Sequence, residues 1–330
     1  MSISEKKDNF LNKNDFGLDK SLRPLLWDEY IGQDNIKKNL KIILQAAKER
    51  QQPPEHMLFY GPPGLGKTTL AHLIAKELDK PLKYTSGPAI EKVGDLASIL
   101  TNLNPGEILF IDEIHRLNKM IEEVLYPAME AGSLNIIIGK GPGARIIQLE
   151  LPPFTLVAAT TRISLLSSPL RSRFSAGTFR LEFYTNEEIK AIIKRSAKIM
   201  EINIEEKAAL EIASRSRYTP RVANQLLKRC RDYCQLRKSS VNKDLACEAL
   251  DLFGLDSLGL TLADRELLET IIKKFKGGPV GLNTLAASIA EEPSTIEEVY
   301  EPYLMRLGLL ERTSRGRKAT DKLKKHFNVN

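Results

Sequence analysis

The sequence predicts an α/β domain on a parallel sheet, then a small helical domain, then a C-terminal domain of helices closed by a short hairpin. Three observations predict this. Residues 56–185 alternate continuous apolar runs with helical periodicity. Residues 186–255 carry helical periodicity alone. Residues 261–330 give three helices and then a basic hairpin turned at a glycine. With a polar arm over residues 1–20, expected to be disordered, the domains are placed at 21–185, 186–255 and 256–330.

The parallel sheet rests on His56-Met-Leu-Phe-Tyr60, Ile108-Leu-Phe-Ile-Asp112 and Phe154-Thr-Leu-Val-Ala-Ala-Thr160. Runs of this kind suit strands buried on both faces, with helices as crossovers. In the helical domain, Asn186 is expected to cap a helix carrying Ile189, Ile192 and Ile193. Leu210, Ile212 and Ala213 mark a second helix, and Arg221 to Leu236, with Val222, Leu226 and Leu227, a third. Leu255–Leu260, with two glycines, is expected to be a linker. Beyond it come a helix, Gly277-Gly-Pro-Val-Gly281, a helix over Leu282–Ala290 and another over Ser294–Leu307. The hairpin follows in Gly308–Thr320. Three helices and a wing of this kind are the pattern of a winged-helix domain.

Composition bounds the function. The chain has 330 residues, 42% of them hydrophobic and 28% charged, which suits a soluble globular protein with two or three cores. No apolar run approaches the roughly 18 residues of a membrane span, so no membrane role is expected. Met1–Lys20 lacks the apolar stretch of a secretory signal. The cysteines are Cys230, Cys234 and Cys247, an odd set without C-x-x-C spacing. They point to reduced thiols in the cytoplasm and not to disulfides or zinc. A net charge of +7 suits a polyanionic partner.

Gly61-Pro-Pro-Gly-Leu-Gly-Lys-Thr-Thr69 matches G-x-x-x-x-G-K-[ST], between a strand-like run and a helix carrying Leu70, Leu73, Ile74 and Leu78. Glycines such as Gly64 and Gly66 let backbone N–H groups turn around a phosphate, and a helix N-terminus adds partial positive charge. Lys67 is expected to bridge the β- and γ-phosphates of ATP, and Thr68, followed by Thr69, to ligate Mg²⁺. Asp112, ending a buried strand, is expected to hold Mg²⁺ through water. Glu113 beside it is expected to orient the attacking water.

Other residues read less sharply. Thr160 and Thr161 end an apolar strand beside these, where one hydroxyl is placed to sense a γ-phosphate; the two are not separable in sequence. Arg171 and Arg173 in Ser168-Pro-Leu-Arg-Ser-Arg-Phe174 are both candidates for an arginine supplied to a neighbouring subunit's nucleotide. Arg221, opening a helix after Thr219-Pro220, is placed to report nucleotide state. Ser133–Leu149 reads as a hairpin with isoleucine-rich arms, Ile136, Ile137 and Ile138 against Ile146 and Ile147. It is either a partner-binding device or a hairpin packed on its own core.

Taken together, the motifs resemble the RuvB family of AAA+ ATPases. The resemblance is carried by Gly61–Thr69, Asp112-Glu-Ile-His-Arg-Leu117, Leu125-Tyr-Pro-Ala-Met-Glu130, Leu151-Pro-Pro-Phe-Thr155, Ala159-Thr-Thr-Arg162 and Arg180-Leu-Glu-Phe-Tyr184. Thr219-Pro-Arg221, Gly277–Leu282 and Glu301-Pro-Tyr-Leu304 extend it across residues 20 to 327. It implies a large AAA+ P-loop ATPase domain, a helical lid and a winged-helix head. It also implies a ring of six subunits on duplex DNA, brought by RuvA to a Holliday junction, with the RuvC resolvase, in recombination and repair. By this resemblance Leu22, Arg23 and Tyr184 lie near the adenine, and Glu130, Ala131 and Gly132 contact nucleotide. Arg173 becomes the trans-acting finger and Arg221 the second sensor. The isoleucine hairpin docks on RuvA, and Arg312 and Arg317 touch DNA phosphates with Arg315 close by. One departure stands out: Ser175-Ala-Gly-Thr-Phe179 is one residue longer than in many relatives.

Two other functions fit parts of the sequence. A clamp-loader-type ATPase would end in a helical collar, which the basic Arg312–Lys318 segment opposes. A non-enzymatic, ATP-binding DNA switch would not need the full set of Lys67, Asp112, Glu113 and Arg173. An unfoldase is disfavoured because no aromatic stands between Gly87 and Asp95.

Overall fold

The computed structural model describes residues 15–138 and 145–327. They fall into two compact units that divide between Phe183 and Tyr184.

The first unit runs α1 (Asp15–Ser21), α2 (Asp34–Arg50), β1 (Met57–Tyr60), α3 (Lys67–Glu77), β2 (Leu82–Ser86), α4 (Val93–Thr101) and β3 (Ile108–Asp112). It continues with α5 (Lys119–Ala131), β4 (Ser133–Ile138), β5 (Arg145–Glu150), β6 (Thr155–Thr160), α6 (Ser168–Ser172) and β7 (Gly177–Arg180). Five strands form a parallel sheet in the order β2-β3-β6-β1-β7. The central strands β1, β3 and β6 are the apolar runs of the sequence, and Met57, Leu58, Phe59, Ile108 and Val157 are wholly buried. The edge strands β2 and β7 are only half-buried and carry Lys83, Tyr84 and Thr178, so no continuous apolar run announces them. Register pairs Tyr60 with Thr160 and Ser86 with Asp112. The carboxyl ends of β1, β3 and β6 therefore lie side by side, where open α/β sheets hold ligands.

Leu96, Leu100, Ile121 and Leu125 of α4 and α5 pack on Leu109, Ile111 and Leu156 of the sheet. The hairpin β4–β5 forms a sheet of its own, pairing Ile136 with Ile147 and Ile137 with Ile146. At its base Leu134 is buried in the core and Leu149 packs against it, while Ile147 is 42% exposed. The turn and the side chains of Ile136, Ile137, Ile138 and Ile146 lie outside the described residues.

The second unit opens with α7 (Asn186–Ile199), α8 (Glu206–Ser214), α9 (Pro220–Leu236) and α10 (Lys243–Leu252). Thr185, and not Asn186, caps α7. Its hydroxyl accepts from the Glu188 backbone N–H at 3.2 Å, and the Glu188 carboxylate accepts from Thr185 N–H at 2.7 Å. Leu210 faces outward at 43% exposure, because Ala208, Ala209, Ile212 and Ala213 form the buried stripe of α8. The expected linker Leu255–Leu260 is instead a packed turn. Leu255 and Leu260 are buried, and the Asp256 carboxylate accepts from Leu258 N–H at 2.9 Å and Leu260 N–H at 2.8 Å.

Next come α11 (Leu262–Lys273), α12 (Leu282–Ser288) and α13 (Pro293–Thr295), which passes through a π-helical turn, Ile296–Tyr300, into α14 (Glu301–Arg306). The widened turn precedes Pro302, whose missing N–H and bulky ring do not fit regular α-helical bonding. The strands β8 (Leu310–Thr313) and β9 (Gly316–Ala319) form the wing, and α15 (Asp321–His326) follows. Val280 of the glycine-rich segment exchanges two backbone hydrogen bonds of 2.8 Å with Arg317, adding a third edge to the wing.

Candidate functional site

At the carboxyl end of β1 the chain turns sharply through Gly61, Gly64 and Gly66, with φ of +143°, +81° and +102°. Side chains rarely tolerate these angles, and a Cβ on Gly66 would lie 2.8 Å from the Tyr30 hydroxyl. Gly66 caps α3 without a side-chain hydrogen bond, and a helix N-terminus of this kind suits an anion. Lys67 is 7% exposed. Its ammonium donates to the carbonyls of Gly61 at 2.8 Å and Pro62 at 3.0 Å. Thr68 and Thr69 follow, half-buried, on the same turn. A buried ammonium, a glycine loop and a helix N-terminus match a polyphosphate.

Asp112 ends β3, and its carboxylate accepts from Glu113 N–H at 3.0 Å. Glu113 is left-handed, with φ +48°. Gly87 lies so close that an added Cβ would sit 2.3 Å from the Glu113 carbonyl oxygen. The Glu113 carboxylate accepts from Thr161 N–H at 3.3 Å and from its hydroxyl at 3.2 Å. It also lies 3.2 Å from His115 Nδ1. Burial pushes the His115 imidazole below its ordinary pKa, against the pull of Glu113, so the ring is neutral at neutral pH. The two threonines thereby separate. Thr160 is wholly buried, its hydroxyl 2.9 Å from His115 Nδ1 and accepting from Arg162 N–H at 3.0 Å. Thr161 is the one that touches Glu113.

The chain before β1 lies along α3. Leu22 is buried, the exposed Arg23 reaches His72 of α3 at 3.4 Å, and the Trp27 indole donates to Glu77 at 3.1 Å. No motif marks Tyr30 or His72, and His115 stands in the Asp112-Glu-Ile-His-Arg-Leu117 motif with no separate contact read for it. The fold sets Tyr30 against Gly66, His72 against Arg23, and His115 against Glu113 and Thr160.

Arg173 sits at the other end of the sheet. It follows α6, where its guanidinium donates to Pro169 O at 2.7 Å, pairs with Glu130 at 3.0 Å and lies 4.4 Å over the Tyr126 ring. Glu130, Ala131 and Gly132 close α5 beside it. This cluster is fixed at the amino end of β1. His56 Nε2 bonds Met129 O at 3.1 Å, and Ala176 N–H donates to His56 O at 3.1 Å. Five residue steps of strand, about 16 Å, separate His56 from Gly61. The structure therefore brings Lys67, Asp112, Glu113 and Thr161 together and keeps Arg173 and Glu130–Gly132 apart from them. Arg171 is exposed on α6, and the chain after Phe174 makes a turn closed by Gly177 N–H on Phe174 O at 3.1 Å.

Tyr184 and Arg221 belong to the second unit. Tyr184 is buried and its N–H donates to Tyr218 O at 3.1 Å. Arg221 is exposed in the first turn of α9.

In the wing, Arg317 is engaged within its own domain. Its side chain is 10% exposed and pairs with Glu301, itself 1% exposed, and with Glu297 at 2.9 Å. Arg312, directly across the hairpin, is 47% exposed and also pairs with Glu301 and with Glu297, the latter at 3.3 Å. Alternation on a strand turns Arg317 inward, and the carboxylates of the third helix hold it there. Arg315 at the tip and Lys318 are exposed.

Three family models match in succession: the Holliday junction DNA helicase RuvB P-loop domain over residues 22–180, the RuvB AAA lid domain over 184–256, and the RuvB C-terminal winged helix domain over 257–328. The chain belongs to the RuvB family. It is 55% identical over 315 residues, 95% of each chain, to the Holliday junction branch migration complex subunit RuvB of Fusobacterium nucleatum subsp. nucleatum. The solved structure of the Thermotoga maritima RuvB Holliday junction branch migration motor superimposes with a TM-score of 0.86 at 51% identity, over 94% of this chain and 99% of that one. A mutant of the same Thermotoga protein gives a TM-score of 0.87 over the same shares. The chain is accordingly an AAA+ P-loop ATPase with a lid and a winged-helix domain. Among the described residues, no helix is long and apolar enough to cross a membrane.

Proposed function

We propose that this chain is the ATP-hydrolysing motor of Holliday junction branch migration, working as a ring on duplex DNA. The observation that carries this is the split of the catalytic set across the two ends of the sheet. Lys67, Glu113 and Thr161 stand at one end, and Arg173 with Glu130–Gly132 at the other. A nucleotide seated on Lys67 is beyond the reach of its own Arg173, but a neighbour in a head-to-tail ring presents that arginine to it. Hydrolysis then reports subunit contact, as a coordinated motor requires. The family's usual ring of six fits such heterologous contacts.

In this reading the loop N–H groups and Lys67 hold the β- and γ-phosphates. The donor set of Thr68 and Asp112, a hydroxyl and a carboxylate at the loop's mouth, fits Mg²⁺, which would neutralise phosphate charge when bound. Glu113 orients the attacking water once it leaves Thr161 and His115. Thr161, alongside, serves as the γ-phosphate sensor. Leu22, Arg23 and Tyr184 contribute to the adenine site and Arg221 senses the nucleotide's state. Exposed Arg315 and half-exposed Arg312 contact DNA phosphates without reading bases, as a motor indifferent to sequence needs. Arg317 supports them from inside the wing. RuvA docks on the hairpin around Ile136–Ile138 and Ile146–Ile147, RuvC joins at the junction, and the work is done in the cytoplasm.

The deciding experiment is branch migration of a synthetic four-way junction with ATP, with and without RuvA. Migration that needs ATP hydrolysis and is stimulated by RuvA supports the reading. ATPase activity without any junction movement overturns it and favours a loading switch.

A further inference from the structure

Immediately before the helix that carries Arg221, Arg217 and Tyr218 are both left-handed, with φ of +56° and +55°. Two successive non-glycine residues in this region are uncommon and persist where surrounding contacts hold them. Here the contacts belong to the winged-helix domain. The Arg217 guanidinium donates to both oxygens of Asp264, at 3.1 and 3.4 Å, and to Val299 O at 3.1 Å. It also lies 4.6 Å over the ring of Tyr303. Asp264 is wholly buried and accepts from the Thr261 N–H at 2.9 Å and hydroxyl at 2.7 Å, capping α11. Tyr218 packs 6.0 Å from Tyr303 and joins the winged-helix core.

We propose that Arg217 is a positioning residue that couples the start of α9, and with it Arg221, to the DNA-binding wing. The proposal rests on the motor reading above and adds the path by which nucleotide state reaches DNA. Two residues, Thr219 and Pro220, separate the clasp from Arg221, and the proline stiffens them. A shift of the α9 N-terminus must therefore move Arg217 and Tyr218. Held by Asp264 and Tyr303, they pass that displacement to α11 and α14, and α14 leads directly into β8 of the wing. A bidentate, ring-stacked guanidinium transmits such a shift where a lysine would pivot.

The test compares Arg217→Gly, which suits the left-handed backbone, with Arg217→Lys, Asp264→Asn and the Arg217→Gly/Asp264→Asn double variant. Asparagine at 264 keeps a side-chain oxygen to cap α11. Basal ATP turnover and the KM for ATP should stay within about twofold of wild type. Stimulation of turnover by duplex DNA, and junction migration, should fall at least about tenfold in each single variant and no further in the double, as one shared interaction demands. Arg217→Lys should restore little. Undiminished DNA stimulation in Arg217→Gly overturns the proposal. So does a loss of basal turnover in step with a lowered melting temperature, which would make the clasp a structural tie. Wild-type protein without DNA-stimulated turnover would overturn the motor reading itself, and the proposal with it.

Discussion

Replacing Arg173 with alanine should leave ATP binding intact and slow hydrolysis about 10³–10⁵-fold, equivalent to ~4–7 kcal/mol of barrier. The fold should hardly notice. Within its own subunit the guanidinium has one carbonyl, a half-exposed partner in Glu130 and the Tyr126 face, together worth about 1–2 kcal/mol. On the proposed reading, those weak contacts are also what the side chain would give up in turning toward a neighbour. The stronger prediction comes from mixing. Lys67→Ala subunits keep a working finger and Arg173→Ala subunits a working pocket. In a ring closed by head-to-tail contacts, a 1:1 mixture makes about a quarter of the interfaces competent. Phosphate release with duplex DNA should therefore rise from near zero in either parent toward about a quarter of the wild-type rate if interfaces fire independently. Titration with a fluorescent ATP analogue checks that Arg173→Ala still binds nucleotide. Mixtures as inactive as their parents at every ratio would refute the split-site argument and return attention to Arg171.

Lys67→Ala should lose turnover and ATP affinity with an unchanged melting curve, and Glu113→Gln should bind ATP and stall; isothermal titration alongside phosphate release separates them, and loss of binding in Glu113→Gln would make that residue structural. In the wing, Arg315→Ala should weaken duplex binding and flatten its log–log salt dependence by about one unit at unchanged stability. Arg317→Ala should instead lower the melting temperature, since removing one partner of a buried ion pair costs about 3 kcal/mol; equal salt-slope effects without destabilisation would show Arg317 to be a direct contact. His56 is buried with Nδ1 accepting from Leu156 N–H at 2.9 Å, and burial lowers its pKa. Its folded pKa lies below the unfolded value near 6.5, so its stabilising effect is present above that pH and lost as pH falls through the folded pKa; calorimetry from pH 7.5 to 5 should show a smaller decline for His56→Gln than for wild type. Ile147→Glu should spare basal turnover and abolish stimulation by RuvA, and unchanged stimulation would exclude Ile147 from the docking surface.

The parts of the molecule most legible in sequence are those whose constraint is local. The phosphate loop needs its glycines at fixed spacing, and β1, β3 and β6 must be apolar on both faces. Edge strands β2 and β7 escape because Lys83, Tyr84 and Thr178 suit a half-wet surface that reads as loop. Thr185 and Asn186 are both good caps, and the glutamate three residues after Thr185 decides between them only when the capping box is sought. Other features depend on distant partners. Register across β3 and β6, whose paired residues are 47 apart, sets Thr161 against Glu113 and leaves Thr160 buried. Nothing near Arg317 in the chain shows that Glu301 and Glu297 turn it inward. The Leu255–Leu260 turn looks slack until its buried leucines and the Asp256 bonds are seen.

The β4–β5 hairpin shares no strand with the main sheet, and among its described side chains Leu134 and Leu149 are the ones that join the core. Its outer arms can therefore change sequence at little cost to the ATPase domain beneath. Such a module can drift, or be exchanged between relatives, on its own evolutionary clock, so that an altered hairpin would leave the hydrolytic cycle untouched. A chimaera carrying a distant relative's hairpin tip should keep its turnover and change only the accessory protein it answers to.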